Sequence, residues 1–158
     1  MEHSSTRSIP MEELAQLIRL QTERGGRAVL TVVGSSMMPM LYQYRDSVVL
    51  EKVTRPLKKG DIILYQRENS RYVLHRIIRR EKTHYICCGD NQYMREKVLP
   101  AQVLAVVTGF YRMGRERSLS AVTYRLYTFV WVYLFFLRIP YLKLRRCLAR
   151  LRKQFRKK

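Results

Sequence analysis

A serine hydroxyl and an imidazole are the groups of this chain best suited to covalent chemistry. Gly34-Ser35-Ser36-Met37-Met38-Pro39 directly follows the apolar run Ala28-Val29-Leu30-Thr31-Val32-Val33. A strand that ends in small residues and turns at a proline of fixed φ leaves a hydroxyl on the rim of a sheet, where a nucleophile can meet a substrate. The same residues also make an ordinary strand-to-turn junction, so chemistry here depends on a partner. A hydroxyl is a poor nucleophile near neutral pH and needs a base within hydrogen-bond reach. His75, inside Tyr72-Val73-Leu74-His75-Arg76-Ile77-Ile78, is such a base. An imidazole of ordinary pKa, about 6.5, accepts a proton at pH 7 without tuning, whereas a lysine would have to be shifted by several units. Lys82, in the polar turn Arg79-Arg80-Glu81-Lys82, is the rival base, and His3 and His84 read as a chain terminus and a strand edge.

The pattern Gly34-x-Ser36-Met37-x-Pro39 resembles the nucleophile box of the type I signal peptidases and the LexA-like peptidases, which share one β-rich fold. Three further segments follow in the family's order. Gly60-Asp61-Ile62-Ile63-Leu64-Tyr65 is similar to the strand after the nucleophile, the His75 segment to the strand carrying the base, and Gly89-Asp90-Asn91 to the closing box. Bacterial signal peptidases and LexA-like proteins place lysine at the base position. The endoplasmic-reticulum, archaeal and spore-former type has histidine followed by arginine, as His75-Arg76 does here, 39 positions (75 − 36) beyond Ser36. The resemblance is therefore to the serine–histidine branch, over roughly residues 27–109.

That resemblance makes Ser36 the attacking serine and His75 its base, with a backbone amide, that of Ser36, stabilising the oxyanion. It suggests Asp90 as the group that holds the histidine tautomer, although a Gly-Asp-Asn loop also suits an Asx-turn cap. Glu96, six positions (96 − 90) further on, is the accessory acid, ranked behind Asp90 because it is longer than the aspartate of the branch. Many signal peptidases carry a serine donor two positions before the nucleophile. Gly34 occupies that place here, so Ser35 or a backbone amide must substitute.

The elements that would position these groups follow from the pattern of apolar runs. Short stretches at 28–33, 47–53, 61–66, 71–78, 84–88 and 103–112, rich in Val, Ile, Leu and Tyr, predict a mainly β fold, a coiled antiparallel sheet. Before it, Met11, Leu14, Leu17 and Ile18 recur at helical spacing until Gly25-Gly26, which predicts an N-terminal amphipathic helix. No hydrophobic stretch of signal-peptide or anchor type is found in the first twenty-odd residues. The expected organisation is a helix over 1–26, a catalytic domain over 27–113, a linker over 114–120 and a C-terminal segment over 121–158.

With 31 Lys and Arg against 12 Asp and Glu, the formal charge is +19, which points to nucleic acid or an anionic membrane surface. Distribution favours the membrane. No acidic residue follows Glu116, and Leu126 to Leu137 is a charge-free aromatic run, too short to span a bilayer unless extended across Arg125 and Arg138 with their stems snorkelling. After Pro140, Leu144, Leu148, Leu151 and Phe155 share one face of an otherwise basic helix of the kind that adheres to anionic lipid. Membrane association through this segment is therefore expected; whether it spans, and from which side, is left open. Cys87, Cys88 and Cys147 have neither disulfide-framework nor zinc-site spacing and read as small apolar residues; no metal or cofactor is expected.

Together these features predict a serine endopeptidase of signal-peptidase type, acting on a peptide or protein precursor through an acyl-enzyme. A preference for cleavage after small residues is implied by the resemblance alone. The alternative is a non-catalytic peptidase fold serving as a basic membrane-binding adaptor. LexA-like self-cleavage is weaker, because the base is not lysine and no DNA-binding domain is recognisable.

Overall fold

The computed structural model describes residues 10–134, 136, 138, 140–142 and 144. Helix α1 (Met11–Glu23) opens this part of the chain. It ends where the Gly25 and Gly26 N–H groups return to the Thr22 and Gln21 carbonyls, a Schellman closure. Its buried face is Ala15, Ile18 and Thr22, with Leu14 packed alongside. Leu17, expected on that face, lies outward and 55% exposed, because the seated stripe is set by the i, i+3, i+7 series from residue 15.

The body is one antiparallel sheet of eight strands: β1 (Ala28–Thr31), β2 (Asp46–Glu51), β3 (Ile62–Gln66), β4 (Tyr72–Arg80), β5 (Tyr85–Cys88), β6 (Glu96–Val98), β7 (Val103–Arg112) and β8 (Arg115–Ser118). The order is β1-β2-β7-β3-β4-β5-β6, and β8 pairs with β7. Register shifts at Val49/Leu50, Leu64/Tyr65 and Ile77/Arg79 add the local twist that coils such a sheet. The mainly β reading holds, with both faces of the sheet covered. Ile62 and Leu64 point into one core with Met37, Leu41, Leu50 and Phe110, while Ile63 and Tyr65 point into another with Leu57, Ile77, Cys87 and Val98. Cys87 and Cys88 are buried free thiols, and burial pushes that of Cys87 up to about 12.

Strand β6 falls outside the predicted runs, and two further elements differ from expectation. Residues 115–118 are not a linker but β8, which folds back on β7 through Met113 and Gly114, both at positive φ as a two-residue hairpin turn requires. The C-terminal aromatic run forms α2 (Val122–Tyr133), which is partitioned by face. Tyr124, Tyr127 and Val132 turn towards the sheet, while Leu126, Phe129, Val130 and Tyr133 face out. Arg138, expected to snorkel, is only 4% exposed: its guanidinium donates to the Gly89 and Gln92 carbonyls. No helix among the described residues is long and apolar enough to cross a membrane. The basic positions beyond 144, with Leu148, Leu151 and Phe155, lie outside the described residues.

Candidate active site

Ser36 sits in the turn between β1 and β2, partly buried, on a loop pinned from below by Met37, Met40 and Leu41. Gly34 precedes it with φ +85° and no atom within 4 Å of an added Cβ. That backbone conformation explains glycine at this position: a serine donor would fit the space but strain the chain. The buried Asp46 closes the loop, accepting from the Tyr42 N–H at 2.9 Å and from Arg45.

The closing box holds the loop from the other side. The Asn91 N–H donates to the Ser36 carbonyl at 2.7 Å, and the Asn91 side-chain amide donates to the Ser35 carbonyl at 3.1 Å. Gly89 lies between the loop and the base. A Cβ there would stand 2.7 Å from the Ser36 carbonyl oxygen and 2.9 Å from His75 Nε2, so those two atoms are at most about 5.6 Å apart, the sum of the two distances. Only a glycine lets them approach this closely. Ser36 and His75 accordingly line the same cleft, about 910 Å³, with Met11, Leu14, Val29, Val33, Tyr72 and Gln92. Among the described residues the Ser36 hydroxyl makes no hydrogen bond to the ring; such contacts commonly tighten only when substrate binds.

Strand alternation sends His75 and its neighbour Arg76 to opposite faces of β4. His75, paired with Ile63, is 1% exposed, and its Nδ1 lies 3.1 Å from the Tyr65 hydroxyl. Tyr65 in turn donates to Glu96 at 2.8 Å, and Arg67 Nε grips the same carboxylate at 2.7 Å. Glu96 also stands 3.5 Å from Nδ1 directly. Burial works to raise the Glu96 pKa, but the bonds from Arg67 and Tyr65 outweigh it and keep the carboxylate ionised. An ionised carboxylate only accepts, so the single Tyr65 proton goes to Glu96, and the Tyr65 oxygen is left to accept from the His75 Nδ1–H. This fixes the tautomer with an unprotonated Nε2 beside Gly89. Burial lowers the imidazole to about 4, against the opposing charge of Glu96, so the ring is neutral at pH 7.

Asp90, expected on the histidine, is placed elsewhere. Its carboxylate takes a bidentate pair from Arg76, 2.9 Å to Nε and 2.8 Å to Nη2, with both residues fully buried. Asp90 therefore does not bond His75, because from the turn after β5 its carboxylate is turned onto Arg76, the neighbour of His75 on the other face of β4. Arg76 spends its remaining amino group on the Gly60 carbonyl and the Tyr124 hydroxyl, each at 3.0 Å. Burial disfavours its charge, but the Asp90 carboxylate reverses the effect and raises its pKa. Helix α2 completes the cluster: Tyr127 donates to Asp90 Oδ2 at 3.1 Å and Trp131 Nε1 to the Asp90 carbonyl at 2.8 Å. Trp131, within the aromatic run, is thus turned inward. Lys82 is exposed at the β4–β5 turn and does not line the cleft.

Tyr65 and Arg67 escaped the sequence reading. Their signal was the period of two from Ile63, which puts Tyr65 on the His75 face, but using it requires knowing that β3 pairs with β4. Trp131, Tyr127 and Arg138 were hidden by the apolar character of their segment.

Residues 3–108 match the family described as Peptidase S24-like. The chain belongs to that family. It is a protein of the LexA and signal-peptidase type of serine-peptidase fold, and the matched region contains Ser36, His75, Asp90 and Glu96 but stops before β8 and α2. No curated protein matches the chain.

Proposed function

We propose that this protein is a serine endopeptidase of signal-peptidase type that cuts a leader or signal peptide from a precursor through a Ser36 acyl-enzyme. The supporting observation is the convergence of the Ser36 loop and His75 Nε2 on Gly89, with the ring held in the tautomer a general base needs. Ser36 Oγ attacks the scissile carbonyl carbon as its proton passes to Nε2. The tetrahedral oxyanion is held by the Ser36 N–H, and its collapse expels the amine, which takes the proton from Nε2. Water then cleaves the ester with His75 as base again. Glu96 acts through Tyr65 to stabilise the transient imidazolium, the part assigned from sequence to Asp90. Strand β1 is a sheet edge whose Val29 and Thr31 line the cleft, with Val33 just beyond it, so an extended peptide added along it would run towards Ser36.

The test compares wild type, Ser36→Ala and His75→Ala in two assays: processing of a co-expressed leader-bearing precursor, and covalent labelling by an organophosphorus fluoride located by peptide mass. The expected result is one adduct on Ser36 and processing lost in both variants, with His75→Ala slowed by about 10²–10⁴-fold. Processing that is equal in all three proteins, or absent along with any adduct on folded wild type, would leave the non-catalytic adaptor in its place.

A further inference from the structure

The outward face of α2 has no counterpart in the peptidase chemistry. Val122, Leu126, Phe129 and Tyr133 recur at i, i+4, i+7 and i+11 along α2, Phe136 follows just beyond its end, and all five are between 54% and 78% exposed. This is a continuous apolar stripe on a helix whose other face is anchored to the sheet by Tyr124, Tyr127 and Trp131. The stripe is flanked by cations. Lys58 and Lys59 of the β2–β3 loop, and Arg125 of the helix, are exposed beside a groove of about 870 Å³ that Leu126, Phe129 and Tyr133 also line. Lys59 Nζ sits 3.8 Å from the Tyr133 ring centre. The acid lining the groove, Asp61, has both oxygens engaged by Arg55 at 2.7 and 2.9 Å, so the local field is positive.

We propose that this face docks on an anionic lipid surface, with α2 lying in the plane of the interface. A stripe of Leu and aromatic side chains with lysines at its rim is suited to the boundary where acyl chains meet phosphate: the rings and alkyl groups enter the apolar layer, and the ammonium groups stay among the headgroups. A second copy of the chain is the poorer occupant, because it would bring the same lysines and arginines face to face in a molecule of formal charge +19. The proposal is independent of the peptidase reaction, since none of these side chains lines the Ser36 cleft.

Flotation of the full chain with vesicles tests it. Wild type is compared with Leu126→Gln/Phe129→Gln/Phe136→Gln and with Lys58→Gln/Lys59→Gln, all at exposed positions, with circular dichroism checking the fold. Vesicles are neutral phosphatidylcholine, alone or with a third phosphatidylglycerol. Wild type is expected to float with the anionic vesicles and little with the neutral ones. The apolar triple variant should bind at least tenfold more weakly, and the lysine pair should weaken binding less and flatten its salt dependence. Undiminished flotation of the folded triple variant would overturn the proposal, leaving binding to the basic C-terminal sequence. Failure of wild type to float, with a dimer on gel filtration that the triple variant abolishes, would overturn it in favour of a self-interface.

Discussion

Tyr65→Phe removes one oxygen atom from a buried relay and leaves the cleft lining untouched, which makes it the sharpest test of how His75 is tuned. In the native site the Tyr65 oxygen accepts from Nδ1 at 3.1 Å while its proton goes to Glu96 at 2.8 Å. When Nε2 takes the Ser36 proton, the ring becomes a cation and that first bond becomes charge-assisted. Hydrogen bonds to charged groups contribute about 1.5–3 kcal/mol, which at 1.36 kcal/mol per decade is a loss of roughly 10- to 150-fold. The loss belongs in kcat, with KM unchanged, because Tyr65 does not line the cleft. Glu96→Gln separates orientation from charge: the amide oxygen still accepts from Tyr65, but the carboxylate that favours the imidazolium is gone. The sign follows from the depressed pKa. A base lowered to about 4 stays unprotonated as the pH falls, so the acid limb of kcat/KM in wild type lies near pH 4 instead of near the free-histidine value. Removing the Glu96 charge moves that limb lower still. Labelling rates of Ser36 by the organophosphorus fluoride, taken from pH 3.5 to 8 on the three folded proteins, measure both effects without a known substrate. A Tyr65→Phe rate within twofold of wild type, or an acid limb that moves upward in Glu96→Gln, would refute the relay.

Two other substitutions probe the frame. Asp90→Asn breaks a fully buried ion pair and is expected to cost about 3–5 kcal/mol in chemical denaturation; Arg76→Leu/Asp90→Leu, which leaves no orphan charge, should be less damaging than either single change, and a strictly additive double would show that the two residues are not coupled. Gly89→Ala forces a methyl to 2.7 Å from the Ser36 carbonyl and 2.9 Å from Nε2. It should cut labelling of Ser36 by at least about 10²-fold, the scale of one misplaced positioning contact, with circular dichroism unchanged; near-native labelling would mean the site does not close on Gly89.

Much of the sheet was legible because its strands are apolar and short, and β7 matches its predicted 103–112 run at both ends. The four chemistry-bearing segments were legible because three of them set small or polar residues where a strand meets a turn, and the fourth places a histidine and an arginine inside an apolar strand. The choice between Asp90 and Glu96 was not. It depends on which acid faces which side of β4, and register is a property of paired strands, not of spacing along the chain. Glu96 is hydrogen-bonded towards the ring through Tyr65, an aromatic that reads as strand filling until β3 is set beside β4. Strand β8 was missed for another reason: Arg115, Glu116, Arg117 and Ser118 are all exposed, so no apolar alternation marks them, and only the Met113-Gly114 turn commits them to pair.

The alternation of a single strand explains why α2 belongs to this site at all. Arg76 pairs with Ile62, so its guanidinium is buried on the face where the nucleophile loop and α2 pack, and Asp90 answers its charge there. That draws the closing box between two demands. Gly89 must pack against Ser36 and His75, Asn91 must hold the nucleophile loop, and Asp90 between them must point back to Arg76. Backbone that turns three ways in three residues exposes carbonyls, and α2 and the residues after it supply donors: Trp131 of α2 to the Asp90 carbonyl, and Arg138, beyond the helix, to those of Gly89 and Gln92. The helix lies beyond the family-matched region, yet it caps the one segment that touches both the nucleophile loop and the base. An addition bonded to the box in this way is part of the same packed body as the candidate site.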